Sequence, residues 1–368
     1  MYIERLELKN FRNYESLSIT FDKGINILYG KNAQGKTNIL EAVFAGCTSR
    51  SHKSAKDREL IKFGEEEAHV KVNLIKNEIP YRIDLHIKKN RAKGIAVKGV
   101  PLRKISDLFG TANVVFFSPE DLSLIKDGPA ERRRFIDTEL CQLDRIYTHD
   151  LISYNKVVEQ KNKLLKDMSE EAQGAPSSES ALSMEVYNEQ LLKYGCSIME
   201  RRAKFIKELN GFIKDIHMNI TGGSEVLKLN YEKNVSESDF ASMLAMNMDR
   251  EIKNGCSLTG PHRDDLGFKV NNVDLRKFGS QGQQKTASLS LKMAEISLVE
   301  SVIGEKPVLL LDDVLSELDR NRQDQLLDSI KDIQTLLTCT GIDDLIERRF
   351  RMDKVFYIEN GVVINGKV

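Results

Sequence analysis

The run 30–37 constrains the fold most, because it fits the phosphate-binding loop pattern G-x-x-x-x-G-K-[ST]. Its eight residues are Gly30, Lys31, Asn32, Ala33, Gln34, Gly35, Lys36 and Thr37. The apolar run 25–29 predicts a strand entering the loop, and apolar residues at helical spacing in 38–44 predict a helix leaving it. A chance match in a turn is the alternative, and it would not require this strand–loop–helix context. The sequence therefore predicts a nucleoside triphosphate site formed by these eight residues.

The residue types in the loop indicate how it would hold a triphosphate. Glycines near both ends let the backbone wrap closely around phosphate oxygens, so that successive N–H groups point at them. Lys36 would place a positive charge between the β- and γ-phosphates and act in catalysis, and the Thr37 hydroxyl would coordinate Mg²⁺. The N-terminus of the following helix would add positive potential.

The acidic pair Asp312 and Asp313 ends the apolar run 307–311. This run predicts a buried parallel strand, which would lie beside the loop. Asp312 would then hold Mg²⁺, and Asp313 would be the catalytic residue that orients the attacking water. Aspartate is shorter than the glutamate usual at the second position, so slow hydrolysis is expected. The alternative is an acidic pair that only solvates a strand end.

Composition excludes several classes of protein. Lys+Arg and Asp+Glu both total 55 in 368 residues, so any nucleic-acid site must be a local basic patch. The 5 cysteines are scattered without C-x-x-C pairs, which favours reduced thiols over a disulfide framework or a zinc site. We expect no metal-ligand set beyond the Mg²⁺ pair. No window is long and apolar enough for a membrane span, which favours a cytoplasmic protein without membrane partners.

Periodicity divides the chain into two predicted lobes. Alternating apolar residues at 70–74 and 81–87 predict antiparallel strands, and the α/β pattern returns in the last third. Between them, helical spacing predicts an inserted lobe at 131–249, with a polar tip loop near 167–183. Residues 1–130 and 250–368 would form the ATPase lobe. The inserted helices are expected to be antiparallel and too short for a long arm.

A further segment, Ser280-Gln281-Gly282-Gln283, precedes the long helical pattern that ends shortly before the acidic pair. A serine and a glycine at a helix N-terminus can offer a hydroxyl, N–H groups and a positive dipole end to a phosphate. Alone, S-x-G-Q is more often a plain helix cap. The loop 316–319, which ends at Asp319, would lie at the same end of the sheet.

Together these motifs resemble the ABC-type ATPase head, an α/β P-loop fold, here with an antiparallel strand subregion and an inserted helical lobe. The resemblance implies that the loop of one copy and the Ser-x-Gly-Gln segment of another enclose ATP. Ser280, Gly282 and Gln283 would then contact the nucleotide in trans, with Asp319 between the copies. An ATP-dependent homodimer is therefore implied.

The opening run 8–14 resembles the SMC-like branch of these ATPases, in which Arg12 and Asn13 would approach the nucleotide. Within that branch the chain resembles the RecF family. The stretches that carry the resemblance are 119–121, 128–137, 259–265 and 311–319. Two departures exist: Asp127 replaces a frequent glycine, and Thr338-Cys339-Thr340 stands where transporter ATPases carry a switch histidine. A Q-loop glutamine is not assignable, and the region 116–120 is its expected place.

The resemblance implies an ATP-dependent DNA-binding protein of recombinational repair and replication. It would bind gapped or single-stranded DNA and duplex–single-strand junctions, and with RecO and RecR partners it would help load the recombinase and support the SOS response. Weak, slow, DNA-stimulated ATPase activity would act as a switch, so whether the protein is best called an enzyme stays open. The alternatives are the ATPase subunit of an ABC transporter and another SMC-like head.

Clustered cations are the candidates for contacts to DNA phosphates. Four clusters stand out: Arg50, His52, Lys53, Lys56 and Arg58; Lys88, Lys89, Arg91, Lys93, Lys98, Arg103 and Lys104; Arg132, Arg133 and Arg134; and Arg201, Arg202, Lys204 and Lys207. For any single cluster, a solvated helix face balanced by nearby acids is the alternative. Arg132–Arg134 could instead pack against acids, and His262 is expected to be a hydrogen-bonded structural residue.

Overall fold

The computed structural model describes residues 1–52, 56–170, 178–343, 346 and 350–365. The predicted tip loop near 167–183 lies partly outside the described residues, and so does Lys53 of the first basic cluster. The strands are β1 Tyr2–Phe11, β2 Tyr14–Thr20, β3 Ile25–Tyr29, β4 Glu67–Lys76, β5 Ile79–Lys88, β6 Arg91–Val97, β7 Val100–Pro101, β8 Val114–Phe117, β9 Leu227–Glu232, β10 Asp265–Val270, β11 Val273–Asp274, β12 Val308–Asp312, β13 Thr335–Cys339, β14 Lys354–Glu359 and β15 Val362–Asn365.

The α-helices follow the helical spacing of apolar residues. They are α1 Lys36–Thr48, α2 Pro129–Leu143, α3 Arg145–Glu170, α4 Ser178–Ile220, α5 Phe240–Met246, α6 Met248–Asn254, α7 Leu275–Phe278, α8 Gln281–Ile303 and α9 Arg320–Ser329. Short 3₁₀ helices occupy Asp57–Leu60, Ile105–Asp107, Pro119–Ser123, Pro261–Arg263 and Val314–Glu317. At 43 residues, α4 is about 65 Å long. The inserted helices are therefore longer than the sequence pattern suggested.

The mostly parallel sheet has the order β15-β14-β3-β13-β12-β8, with β15 antiparallel to β14. Its central strands are buried on both faces, which explains why 308–311 and 335–339 read as continuous runs without alternation. Strand β13 pairs with both β12 and β3 and lies between them, so β12 is not adjacent to the strand that enters the loop. The order of non-adjacent strands depends on contacts that a local pattern does not encode.

The antiparallel sheet has the order β2-β1-β4-β5-β6-β7 and buries one face. Alternate residues of β4, including Val70 and Val72, enter a core that also holds Ile39 and Val43 of α1 and Leu310 of β12. Helix α1 is almost entirely buried, since it contacts strands of both sheets. The helix that follows the loop is thus fixed by packing on both sides.

The described residues fall into two compact units. The first comprises 1–123, 215–224 and 281–368, and the second comprises 124–214 and 225–280. The predicted lobe 131–249 has different limits, because β9 pairs with β10 and so draws 250–280 into the second unit. Residues 215–224 belong to the first unit, where the His217 Nδ1 lies 2.8 Å from the Ser290 hydroxyl.

The second unit has its own core and its own sheet, of order β11-β10-β9. Leu165 and Met168 of α3 pack against Met184 of α4. The 5 cysteines carry free thiols, as their spacing predicted. No helix in the described ranges combines the length and the apolarity that crossing a membrane requires.

Candidate nucleotide site

The backbone of the loop requires its glycines. Gly30 has φ 149° and Gly35 has φ 108°, both in the region that side chains disfavour. A Cβ on Gly30 would lie 2.3 Å from the Ile358 carbonyl oxygen, and a Cβ on Gly35 would lie 2.5 Å from Asn13 Nδ2. Gly35 also caps the N-terminus of α1. Both positions therefore require glycine even without a phosphate, because a backbone carbonyl approaches Gly30 and an amide side chain approaches Gly35.

A turn from the far end of the sequence holds the loop in place. The Asn360 N–H donates to Gln34 Oε1 at 2.6 Å, and the Gly361 N–H donates to the Gln34 carbonyl at 3.2 Å. Asn13 Nδ2 donates to the same carbonyl at 3.3 Å. Gln34 is thus bonded through both its backbone and its side chain, by the β14–β15 turn and by the segment after β1.

Lys36 is buried, and its ammonium caps the loop. Its Nζ donates to the Gly30 carbonyl at 2.6 Å and to the Lys31 carbonyl at 2.9 Å. Burial lowers the pKa of Lys36, while the nearby Asp313, Cys339 and Asp312 act in the opposite direction. The charge is therefore held next to the loop by carbonyl dipoles and by long-range attraction to acids.

The two predicted Mg²⁺ ligands lie side by side. Thr37 Oγ1 donates to Asp312 Oδ1 at 2.6 Å, although the residues are 275 positions apart. Thr338 Oγ1, on the intervening strand β13, donates to the same oxygen at 2.9 Å. A hydroxyl and a carboxylate are hard oxygen donors of the kind that Mg²⁺ prefers. Thr338 was missed as an Asp312 partner, because its role depends on the position of β13.

Asp313 stands at the end of β12 in a left-handed conformation, with φ 53°. Its N–H donates to Thr338 Oγ1 at 2.9 Å, and its carbonyl accepts from Ser316 Oγ at 2.7 Å. Burial raises the pKa of Asp313, Lys36 opposes this, and Asp312 raises the pKa further. The carboxylate is consequently a stronger base than an ordinary exposed aspartate.

Arg12 and Asn13 both lie beside the loop and its helix. Arg12 forms a bidentate pair with Glu41 of α1, at 2.8 Å through each of two nitrogens, and its third nitrogen donates to the Glu59 carbonyl at 2.7 Å. Asn13 accepts from Asn38 Nδ2 at 2.7 Å. Arg12 thus has a structural role in fixing α1, and the nucleotide contacts of both residues stay a prediction.

The Ser-x-Gly-Gln segment lies at the start of α8. Gly282 and Gln283 form its first turn, and Ser280 precedes it with an exposed side chain. The Gly282 carbonyl accepts from Thr286 Oγ1 at 2.8 Å and from Arg322 Nη2 at 3.3 Å. These residues are accessible in a single copy, and their role in trans stays a prediction.

Arg322 is a residue that sequence reasoning missed. It pairs with Asp319, which caps α9, and its Nε donates to Thr286 Oγ1 at 2.9 Å. It therefore ties the start of α9 to the start of α8 within the first unit. The i,i+3 spacing of Asp319 and Arg322 was the available signal.

The region 116–120, where a Q-loop glutamine was expected, reads Phe-Phe-Ser-Pro-Glu. His52 Nε2 lies 3.2 Å from Ser118 Oγ, and the Ser118 N–H donates to Asp121 Oδ2 at 2.8 Å. The His52 ring stacks on Phe116 with a centroid separation of 4.1 Å. His52 therefore packs against Phe116 in the first unit, and its place in a DNA-contacting cluster stays a prediction.

Two arginines of the basic clusters are buried structural residues. Arg132 is 3% exposed and pairs with Asp265 at 2.6 Å. Arg202 is 2% exposed and pairs with Asp137 at 2.7 Å and with Asp264 at 3.4 Å. For Arg132 the alternative of packing against acids is confirmed. Arg202 is buried too, so it fits neither a DNA-contacting cluster nor a solvated helix face, because sequence proximity to other cations does not reveal burial.

His262 is held by two hydrogen-bonding partners, as expected of a structural residue. Its Nδ1 lies 2.7 Å from the Tyr154 hydroxyl, and its Nε2 lies 3.2 Å from the Ser257 carbonyl. Burial, with a minor contribution from Arg263, lowers the pKa of His262 to about 4. The ring is therefore neutral at physiological pH.

Comparison with known proteins decides the family. The chain is 52% identical over 365 residues to the DNA replication and repair protein RecF of Lachnospira eligens, covering 99% of each chain. It is 53% identical over 363 residues to the protein of the same name from Agathobacter rectalis, again covering 99% of each. The chain belongs to the RecF family. A family model described as an AAA domain also matches residues 5–217.

Solved structures agree with this assignment to the RecF family. A structure of the recombination mediator protein RecF with ATP, from the RecFOR pathway, superposes with a TM-score of 0.90 at 34% identity, covering 100% of this chain and 98% of the other. An Smc head bound to the C-terminal winged-helix domain of ScpA gives a TM-score of 0.56 at 17% identity, with 100% of this chain and 98% of that chain covered, and shows the fold alone. The predicted RecF resemblance and the SMC-like ATPase head fold are confirmed.

Proposed function

We propose that the chain is an ATP-switched DNA-binding protein of replication and recombinational repair. It binds gapped or single-stranded DNA and duplex–single-strand junctions, dimerises on ATP and, with RecO and RecR partners, helps load the recombinase and supports the SOS response. The observation that carries the proposal is the 2.6 Å contact between Thr37 and Asp312, which brings the predicted Mg²⁺ ligands together from distant segments. Because the proposed substrate is chromosomal DNA, we infer a cytoplasmic location.

The loop residues fit a nucleotide with Mg²⁺. Gly30–Thr37 provide the backbone, Lys36 provides the charge, and Thr37 with Asp312 provides oxygen ligands for the metal. Two of the three Lys36 ammonium donors are bonded to loop carbonyls, which orients the ammonium and leaves the third for a phosphate oxygen. When bound, ATP with Mg²⁺ supplies a cleavable phosphoanhydride and a concentrated negative charge that two copies can share.

Asp313 would set the lifetime of the ATP state. Its raised pKa supports a role as the base that orients and deprotonates water. Its side chain is shorter than that of a glutamate, which supports slow turnover. A slow ATPase suits a switch, because the ATP-bound form would persist long enough to act on DNA.

Dimerisation would complete the site. The exposed positions of Ser280 and Gly282 at the beginning of the 23-residue α8 support their approach to the γ-phosphate of a second copy. Gln283 and Asp319 would border the same interface. Such a site requires two chains, so ATP binding and dimer formation would be thermodynamically linked.

The remaining exposed cations are the candidates for DNA contacts. They belong to the four predicted clusters and are Arg50, Lys56, Arg58, Lys89, Arg91, Lys98, Arg103, Lys104, Arg134, Lys204 and Lys207. Cations of this kind bind phosphates without reading sequence, so the affinity should fall steeply as salt rises.

Sedimentation velocity with labelled gapped duplex DNA tests the proposal. In ATP the wild-type protein should co-sediment with DNA at twice the monomer mass, and in ADP it should not. Ser280→Arg should bind ATP but stay monomeric, because the bulky cation would enter the shared site.

Ser301→Arg is the matched control, since Ser301 is also exposed and lies at the other end of α8. It should dimerise like the wild type. An ATP-dependent dimer of Ser280→Arg would contradict the trans role of Ser280. A wild-type protein that stays monomeric in both nucleotides would contradict the proposed switch. So would a dimer that forms in ATP but does not co-sediment with the DNA.

A further inference from the structure

Three potential metal-binding side chains share one face of the antiparallel sheet. His69 of β4 lies directly opposite His86 of β5, and Glu67 precedes His69 by two residues and so points to the same face. The two imidazole rings stack with a centroid separation of 3.9 Å and an interplanar angle of 22°. None of these residues belongs to the nucleotide site.

Both histidines lie close to the carboxylate of Glu67. His86 Nε2 lies 2.9 Å from Glu67 Oε2, and His69 Nε2 lies 3.6 Å from Glu67 Oε1. One ligand atom of each of the three residues lies within 4.8 Å of those of the other two. A tetrahedral Zn²⁺ with its usual bond lengths separates its ligand atoms by about 3.4 Å. Side-chain rotations that bring the ligand atoms from at most 4.8 Å to this separation would therefore form three bonds.

We propose that Glu67, His69 and His86 form a Zn²⁺-binding site on the exposed face of this sheet. Two imidazoles and one carboxylate are a known type of zinc ligand set, with the fourth position taken by water or by another molecule. Gly94 of β6 lies opposite His86, and a Cβ there would meet nothing nearer than His86 Cβ at 3.9 Å. This leaves room beside His86 for the fourth ligand.

The charges around the cluster bear on its affinity for a cation. Burial, and then the neighbouring His86, lower the pKa of His69. The hydrogen bond from His86 lowers the pKa of Glu67. The cations that face the cluster are Lys9 of β1, opposite His69, and Lys88 of β5, whose Nζ lies 4.0 Å from Glu67 Oε2. They weaken the site relative to one without nearby cations.

The sequence offered no sign of this site, and we expected no metal set beyond the Mg²⁺ pair. His69 and His86 are far apart in the chain and match no ligand-spacing motif. They meet only because β4 and β5 pair in this register. A shift of the register by one residue would place them on opposite faces.

Zn²⁺ competition against a chromophoric chelator tests the proposal with the full chain and no nucleotide. The wild type should bind one Zn²⁺ whose affinity falls at least about tenfold in His69→Ala, His86→Ala and Glu67→Gln. His149→Ala is the matched control, because His149 is an exposed histidine 3.1 Å from Asp150. It should bind Zn²⁺ like the wild type.

Co²⁺ absorption distinguishes these ligands from the free thiols. The wild type should show a weak visible spectrum without the intense sulfur charge-transfer band of a Co²⁺–thiolate bond. Folding of each variant is checked by its thermal melt, and Zn²⁺ should raise the Tm of the wild type and of the control but not that of His69→Ala. Equal Zn²⁺ affinity in all variants, or a thiolate band, would overturn the proposal and leave the three residues as a hydrogen-bonded surface cluster.

Discussion

Lys36 in the first unit and Arg202 in the second are both buried cations, but their surroundings differ. Lys36 is bonded to two carbonyls and forms no direct ion pair with any acid in the described part of the chain, and burial lowers its pKa. Arg202 is bonded to Asp137, Asp264 and the Tyr147 hydroxyl. Burial alone would lower the pKa of Arg202, yet Asp137 and Tyr147 raise it well above its ordinary value.

The difference separates a charge that stabilises the fold from one that is held for a ligand. A fully paired cation gains nothing from an added anion, whereas one bonded only to carbonyls gains a strong partner when a phosphate arrives. Removing each of the two charges by substitution tests this difference, and the larger effect is expected for Arg202.

Arg202→Ala should destabilise the second unit by about 3–5 kcal/mol, because it leaves the half-buried Asp137 and the buried Asp264 without their cation. The adjacent Arg201→Ala removes a partly exposed pair with Asp144 and should cost less than about 1 kcal/mol. Urea unfolding followed by circular dichroism measures both. Equal losses in the two variants would mean that the buried cluster is not a stabilising element.

Lys36→Ala should leave stability almost unchanged but weaken ATP binding at least about a hundredfold, because charged hydrogen bonds to phosphate are lost. Lys31→Ala, which removes an exposed lysine of the same loop, should bind ATP nearly as well as the wild type. Equilibrium dialysis with labelled ATP gives both affinities. Tight binding by Lys36→Ala would contradict the phosphate-loop interpretation.

Asp313→Asn should slow ATP hydrolysis at least about tenfold and prolong the ATP-bound dimer, since the amide cannot accept a proton from water. Single-turnover hydrolysis and the dimer lifetime are the measurements. Asp328→Asn is a suitable control, because it makes the same exchange at an exposed carboxylate, which pairs with Lys331 at 2.8 Å. Unchanged turnover in Asp313→Asn would mean that another residue orients the attacking water.

The smallest expected effect concerns His262. Its folded-state pKa of about 4 lies below the ordinary 6.5, so the unfolded chain takes up a proton first as the pH falls. The stabilisation is therefore complete above pH 6.5 and is lost progressively between pH 6.5 and 4. Over this window the wild type should lose about 1–3 kcal/mol more than His262→Gln. Urea midpoints at several pH values test this, and His149→Gln, at an exposed site, should behave like the wild type.

The meeting of the phosphate-binding loop and the acidic pair could be predicted, because each of them is a short contiguous run in the sequence. Gly30–Thr37 and Asp312–Asp313 each combine a strand pattern with residues of fixed function, so their types and order sufficed. The position of β13 could not be predicted in this way, since strand order depends on long-range packing. Thr338 therefore escaped notice, although it bonds to Asp312.

The second unit was harder to predict because its polar core looks like surface. Arg132 and Arg202 lie in basic runs, which favour solvent exposure. Their partners, Asp265 and Asp137, are distant from them in the sequence, so the ion pairs could not be recognised from a local pattern. The pairing of β9 with β10 likewise moved 250–280 into this unit. Helical periodicity located the lobe but contained no information about which charges would be buried.

The contact between Asn360 and Gln34 joins residues 326 positions apart, and it has a consequence for protein synthesis. At usual elongation rates a ribosome needs roughly 16 to 65 s to travel from one residue to the other. Throughout that interval the loop lacks the turn that holds it, and for most of it β3 lacks both of its neighbouring strands, β13 and β14. A nascent chain therefore lacks the complete nucleotide site during this interval. The proposed response to ATP can arise only after the last strands have been synthesised.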